Sequence, residues 1–353
     1  MDNSYTKDSK RRVLRSAVTA VIILLVLILA GYLALTVFGR RSGPRAVISA
    51  GGDSVYYVSG SNTFKKSAVC LYDPASGKSK RLIKNASVLS TSSGPVAIDK
   101  NGSVYRLSGS KLEKIGSVDL TRKADRYLDL IGNDMYFLAG LKTIYRENIL
   151  TGEVSEIISG SSKDGYINNP GFCKNRLFYT DTGDHPEGRG VVVNVYTCDT
   201  DTRMQSKVFE ISSGDGSDFT GACNISYFDD FFVVSFEDGI IKVDAADYSS
   251  VRLADGHAYS VDFHDGWLYY EEQAAVPSGH SDPTTNEMIY DHEQYLTRID
   301  PGSGKTERVM KLGRNGNIRQ AMQVTDKGIY YIDPALGLYY CAFGSDPVLV
   351  DKR

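Results

Sequence analysis

Two hydrophobic patterns follow one another along the chain. From Ser16 to Gly39 there are 24 residues without a charge, and Val21 to Leu29 is unbroken Val, Ile and Leu. As a helix rising about 1.5 Å per residue this run reaches roughly 36 Å, more than the ~30 Å hydrocarbon core of a bilayer. A buried helix of a soluble domain would keep a polar face. A cleaved signal peptide carries a shorter apolar region of about 7–15 residues, whereas this run continues through Leu33, Leu35, Val37 and Phe38. The pattern therefore predicts a retained transmembrane helix over 16–39. Leu29-Ala30-Gly31 is followed by Tyr32 instead of Cys, which excludes lipid attachment there.

Beyond Arg45 the period falls to two, and short apolar runs alternate with turns. Five segments share one turn, led by Asp73, Asn148, Asp199, Asp244 and Asp300. A leading Asp or Asn bonds to the backbone ahead of it, and Gly77, Gly152 and Gly304 accept a left-handed fifth position. Eight residues after each leader stands a charge (Arg81, Glu156, Lys207, Arg252, Arg308), and nine after stands an aliphatic residue (Leu82, Ile157, Val208, Leu253, Val309). A second turn recurs seven times, at 51–53, 99–102, 132–134, 174–175, 229–230, 264–266 and 326–328, each followed by an aromatic-rich strand. From Tyr57 to Tyr331 six steps cover 274 residues, about 46 per unit, the length of a four-stranded propeller blade.

The predicted fold is all-β: one transmembrane α-helix followed by a single β-propeller of seven four-stranded blades. The alternative is a β-sandwich with similar-looking hairpin turns. The domains expected are a cytoplasmic tail (1–15), the transmembrane helix (16–39), a short linker (40–45) and an extracytoplasmic propeller (46–353). The repeat begins with an inner strand at 46–50 and ends with an outer strand at 348–350. No strand is then borrowed at closure, and the first and last blades meet through side-chain packing alone.

Phe178-Tyr179-Thr180-Asp181 and Tyr330-Tyr331-Ile332-Asp333 resemble the Tyr-Trp-Thr-Asp signature of propellers in lipoprotein-receptor ectodomains. The region from Ala46 onward resembles bacterial membrane-anchored relatives of that family, with Tyr in place of the signature Trp. The resemblance implies a fold and a tendency to bind, and no particular activity.

Charge sets the topology and removes one class of partner. Lys7, Lys10, Arg11, Arg12 and Arg15 precede the apolar run, and Arg40, Arg41 and Arg45 follow it. Five against three favours a cytoplasmic N-terminus, hence a single-pass protein of the cell membrane with its propeller outside. Outside the tail the net charge is −6, so no nucleic acid is expected as a partner. Cys70, Cys173, Cys198, Cys223 and Cys341 lack CxxC spacing; they are read as scattered buried thiols or as containing one disulfide among the middle three.

No hydrolase elbow, phosphate loop, zinc-protease pair or calcium loop occurs in the sequence. No cofactor and no metal are expected. Candidate contact residues lie where long segments interrupt the repeat between second and third strands: Asp181, Asp184, His185, Glu187 and Arg189 in one, and His280, Asp282, Glu287 and His292 in the other. These are read as loops on one face, solvated or touching a partner. The sequence thus predicts a binding or scaffolding module for an envelope polymer, peptide or protein partner, membrane-bound through one helix. The alternative is an extracytoplasmic lyase or hydrolase acting in the central depression.

Overall fold

The structure is a computed structural model. It describes residues 47–352, apart from 61–66, 160–165, 185–190, 212–222, 237–238, 256–257, 282–283, 286, 315–321 and 334–336. Seven antiparallel sheets follow the chain in order, each with four strands. Blade 1 holds β1 (Val47–Gly51), β2 (Ser54–Gly60), β3 (Ser67–Asp73) and β4 (Lys78–Lys84). Blade 2 holds β5 (Ala86–Leu89), β6 (Val96–Asp99), β7 (Ser103–Ser108) and β8 (Lys111–Ser117). Blade 3 holds β9 (Ala124–Ile131), β10 (Asp134–Ala139), β11 (Thr143–Asn148) and β12 (Val154–Ser159). Blade 4 holds β13 (Asn168–Cys173), β14 (Arg176–Asp184), β15 (Val191–Cys198) and β16 (Gln205–Ile211). Blade 5 holds β17 (Cys223–Tyr227), β18 (Phe231–Phe236), β19 (Gly239–Asp244) and β20 (Ser250–Asp255). Blade 6 holds β21 (Ala258–His264), β22 (Trp267–Ser281), β23 (Met288–Ile299) and β24 (Thr306–Arg314). Blade 7 holds β25 (Met322–Val324), β26 (Gly328–Asp333), β27 (Gly337–Ala342) and β28 (Val348–Lys352).

The core is divided among the seams. Seven hydrophobic clusters lie one at each blade–blade contact, including the contact between blades 7 and 1. Side chains alternate across a strand, so neighbouring aromatics on a second strand supply two seams at once. Tyr56 packs towards blade 2 and Tyr57 towards blade 7; Tyr330 packs towards blade 1 and Tyr331 towards blade 6. The fold is a seven-bladed β-propeller.

The repeated charge-then-aliphatic pair has a structural cause. In every blade the pairing of third and fourth strands slips by one residue at an equivalent place, and in blade 6 it slips a second time, at Leu312. The extra residue at the equivalent place is Leu82, Ile115, Ile157, Val208, Leu253, Val309 or Val350, and each of these seven packs into a different seam cluster. A bulge re-aims one side chain and increases local twist, so the outer strand keeps a charged run exposed while returning one aliphatic group to the core. The five shared turns carry the expected bonds, as where Gly302 N–H donates to Asp300 Oδ1 at 2.8 Å and Thr202 N–H to Asp199 Oδ1 at 2.7 Å.

Three expectations need correction. The turn at 99–102 joins β6 to β7, the second and third strands of blade 2; that blade starts earlier, with β5, and its first connection is the turn in which Gly94 N–H donates to Thr91 O at 2.8 Å. The segment after Tyr270 is a continuation of β22 and β23 as a long hairpin and not simply a loop, and β14 likewise extends to Asp184. Closure exchanges no strand, but side-chain packing does not act alone. Lys327 Nζ sits 2.8 Å from Asp53 Oδ2, Lys327 N–H donates to Asp53 Oδ1 at 3.2 Å, and the Tyr330 hydroxyl donates to Asp53 O at 2.6 Å.

Among the described residues no helix is long and apolar enough to cross a membrane. The predicted span at 16–39 lies outside them.

Candidate functional site

The inner strands of blades 3, 4 and 5, with the 90–92 link of blade 2 and Val261 of blade 6, enclose a cavity of about 740 Å³ in the middle of the ring. It reaches Lys174, Asn175 and Asp229, and so the face that carries the first turns. Its walls are mixed: Leu128, Phe172, Ile225 and Phe228 supply apolar surface, and Arg126, Asp129, Lys174 and Ser226 supply polar groups.

Most of this polarity is already engaged. Asp129 is 5% exposed, and its carboxylate accepts from Ser92 N–H at 2.7 Å, the Ser92 hydroxyl at 2.5 Å and Leu130 N–H at 2.7 Å. A buried carboxylate with several donors is stable only as an assembled unit, so Asp129 ties blade 3 to blade 2. Lys174 Nζ lies 3.3 Å from Asp230 Oδ1, and Lys174 N–H donates to Asp229 O at 3.2 Å, joining blade 4 to blade 5. Arg126 differs. It is exposed in the cavity and has no hydrogen-bond or ion-pair partner among the described residues.

Tyr227 closes the wall by shape. Its hydroxyl donates to Asn169 O at 2.6 Å, and its ring fills the space a side chain on Gly171 would need, since a Cβ there would come within 2.2 Å of Tyr227 Cδ2. Burial pushes the phenol far above its usual range against the opposing pull of the Arg126 cation. All five cysteines are free, which leaves no disulfide among the middle three. Burial pushes the Cys173 thiol up to about 12 and the Cys223 thiol up to about 11, so neither is a ready nucleophile.

The residues singled out from sequence lie elsewhere. Asp181 accepts from Asn194 Nδ2 at 3.2 Å, within its own blade. His280 N–H donates to Ser278 Oγ at 3.1 Å and Glu287 N–H to Thr285 Oγ1 at 3.4 Å, both near the tip of the β22–β23 hairpin. His292 is exposed on β23 opposite Ala275. His185, Glu187, Arg189 and Asp282 lie outside the described residues, and Asp184 is described in its backbone alone. Among the described residues no group of three or more His, Cys, Asp or Glu is placed to hold a metal. The cavity residues were missed because they come from five blades. A usable signal was the Asp-Arg-Tyr-Leu-Asp run at 125–129, which puts charges on a strand that should be interior.

No family model matches the chain, and no curated protein matches it. Solved structures do. Crystal structures of puromycin hydrolase superpose with a TM-score of 0.50 at 11% identity, covering 89% of this chain and 54% of that one. The chain thus spans about half the length of puromycin hydrolase. The Saccharomyces cerevisiae protein Sqt1 superposes with a TM-score of 0.49 at 10% identity, covering 88% and 85%. An oligogalacturonate lyase in complex with manganese gives 0.42 at 7% identity, covering 88% and 78%. At such identities the likeness concerns the fold.

Proposed function

We propose that the chain is a membrane-anchored, extracytoplasmic propeller that binds or scaffolds an envelope polymer, peptide or protein partner. It is read as a relative of the lipoprotein-receptor type of propeller, on the strength of Phe178 to Asp181 and Tyr330 to Asp333. The anchoring rests on the uncharged run at 16–39 and the basic tail before it. The observation that carries binding over catalysis is the state of the cavity charges. Asp129 and Lys174 are spent on joining blades, while the open group is Arg126. A guanidinium stays protonated at all physiological pH values and offers five donors in a fixed fork. It can hold a carboxylate or a sulfate, and it is a poor proton shuttle.

A photo-crosslinking residue placed at Ser226 in the full chain, in cells, is expected to trap an envelope component. The same residue at Asp255, on an outer strand, should not. Turnover of an ester or an oligouronide by the purified protein, abolished by Asp129→Asn with the fold intact, would replace this reading by the lyase or hydrolase alternative.

A further inference from the structure

The hairpin of blade 6 has a length and a tip that the binding reading leaves unused. β18 and β26 each cross their blade in six residues, whereas β22 runs for 15. Its partner β23 runs for 12 residues against six in β19 and β27, and the register slips between Pro277 and Ser281, so about six additional paired positions carry the hairpin about 20 Å past the blade, at about 3.3 Å per residue. Its base is braced: Arg308 Nη2 lies 2.6 Å from Glu272 Oε1, the Thr297 hydroxyl donates to Glu272 Oε2 at 2.6 Å, and Lys311 Nζ lies 2.5 Å from Glu293 Oε1. β24 pairs with β23 only as far as Glu293. Beyond it β22 and β23 pair with each other alone among the described residues, from Ala275↔His292 through Pro277↔Tyr290 to Ser281↔Met288. On that stretch Met288, Ile289 and Tyr290 are 48%, 43% and 56% exposed. Single exposed apolar residues are ordinary, but three in succession on a projection mark a contact surface.

The start of the ring says what lies opposite this tip. Val47 is level with Tyr57, so the N-terminal end of β1 lies at the Gly60 end of β2, the side of the second turns. The His264–Asp326 contact (2.9 Å) and the Lys327–Asp53 pair place the first turns of blades 6, 7 and 1 on one face. The hairpin tip therefore points to the side on which the chain enters β1. Between Gly39 and Val47 stand only residues 40–46, at most about 25 Å when fully extended. The projection is comparable in length to the tether.

We propose that the hairpin tip, through Met288, Ile289 and Tyr290, inserts into the outer interface of the bilayer that holds the 16–39 segment, giving the propeller a second membrane contact. This rests on the anchoring reading above. From Trp267 to Thr297 there is no Lys or Arg, while Glu287 and Asp291 flank the apolar residues. The contact is therefore apolar, and it favours neutral over anionic lipid.

The test uses the full chain reconstituted into phosphatidylcholine vesicles with brominated acyl chains. A Trp is introduced by Tyr290→Trp or, should that variant misfold, by Ile289→Trp; Leu150→Trp, on a turn of the opposite face, is the control, and the signal of Trp267 is subtracted with the unaltered protein. Expected is quenching several-fold stronger at 290 than at 150, greatest for bromines about 5–10 Å below the interface and weakened when anionic lipid is added. Protein that floats with the vesicles but shows equal quenching at both positions overturns the hairpin contact and leaves the anchor standing. Protein that does not float overturns the anchor, and the hairpin contact with it.

Discussion

The seam between blades 4 and 5 and the seam between blades 6 and 7 do the same work by different means. In the first, the ring of Tyr227 occupies the space above Gly171 and stands against Phe178 and Phe232, whose rings are 5.3 Å apart. In the second, a carboxylate is the bridge: Asp262 accepts from Val324 N–H at 2.6 Å, Gln323 Nε2 at 3.1 Å and its own Phe263 N–H at 2.9 Å. A seam made by shape is indifferent to pH. A seam made by a buried carboxylate is not, because burial pushes the Asp262 carboxyl up to about 6 while the bonds from Val324 and Phe263 oppose the rise.

The largest effect should come from breaking the shape seam. Gly171→Ala puts a methyl group into the Tyr227 ring, an overpacking that costs about 3 kcal/mol, and urea unfolding should show the loss at every pH. If the midpoint does not move, the ring is not held where it lies. The next effect belongs to the carboxylate seam. The folded carboxyl binds its proton more tightly than the unfolded one, whose ordinary value is 3.8. Between about pH 4 and pH 6 the native state therefore holds more protons, and this contribution to stability falls as pH rises, by on the order of 2 kcal/mol. Thermal melts from pH 4.5 to 7.5 should show a slope that Asp262→Asn flattens and Gly171→Ala leaves in place. The smallest effect compares equivalent turns of blades 4 and 6. Arg203 holds φ of 61° where Gly304 holds 74°; Arg203→Gly should be neutral to stabilising by up to about 1 kcal/mol, the left-handed penalty being partly offset by unfolded-chain entropy.

The features of this architecture legible in the sequence were those written locally. An Asp-led turn satisfies its bonds within five residues, so Asp73 and Asp300 announce it without reference to the rest of the chain. The aliphatic residue nine positions later was visible as a register, but not as a bulge, since a bulge is a relation between two strands. Blade 2 was misread because its 108–110 turn lacks a leading Asp, while the Asp99 turn, whose carboxylate accepts from Asn101 and Ser103 N–H groups, imitates a first turn. The hairpin of blade 6 carries Pro and Gly, which read as a loop, yet pairing continues on both sides of them. Apart from the charged run at 125–129 the cavity had no local signature, because Ser92 and Asp129 meet across 37 positions and Asn169 and Tyr227 across 58.

The first strand has a mechanical meaning. β1 is an inner strand, hydrogen-bonded along its length to β2 from Val47↔Tyr57 to Gly51↔Ser54. A pull applied to Val47 along the strand axis acts parallel to that ladder. The bonds to β2 then bear the load together, as in a lap joint under shear, and do not open in succession as the teeth of a zip do. A ring held by its innermost strand resists being dragged by its leash far better than one held by an outer strand, where the same force would peel the edge.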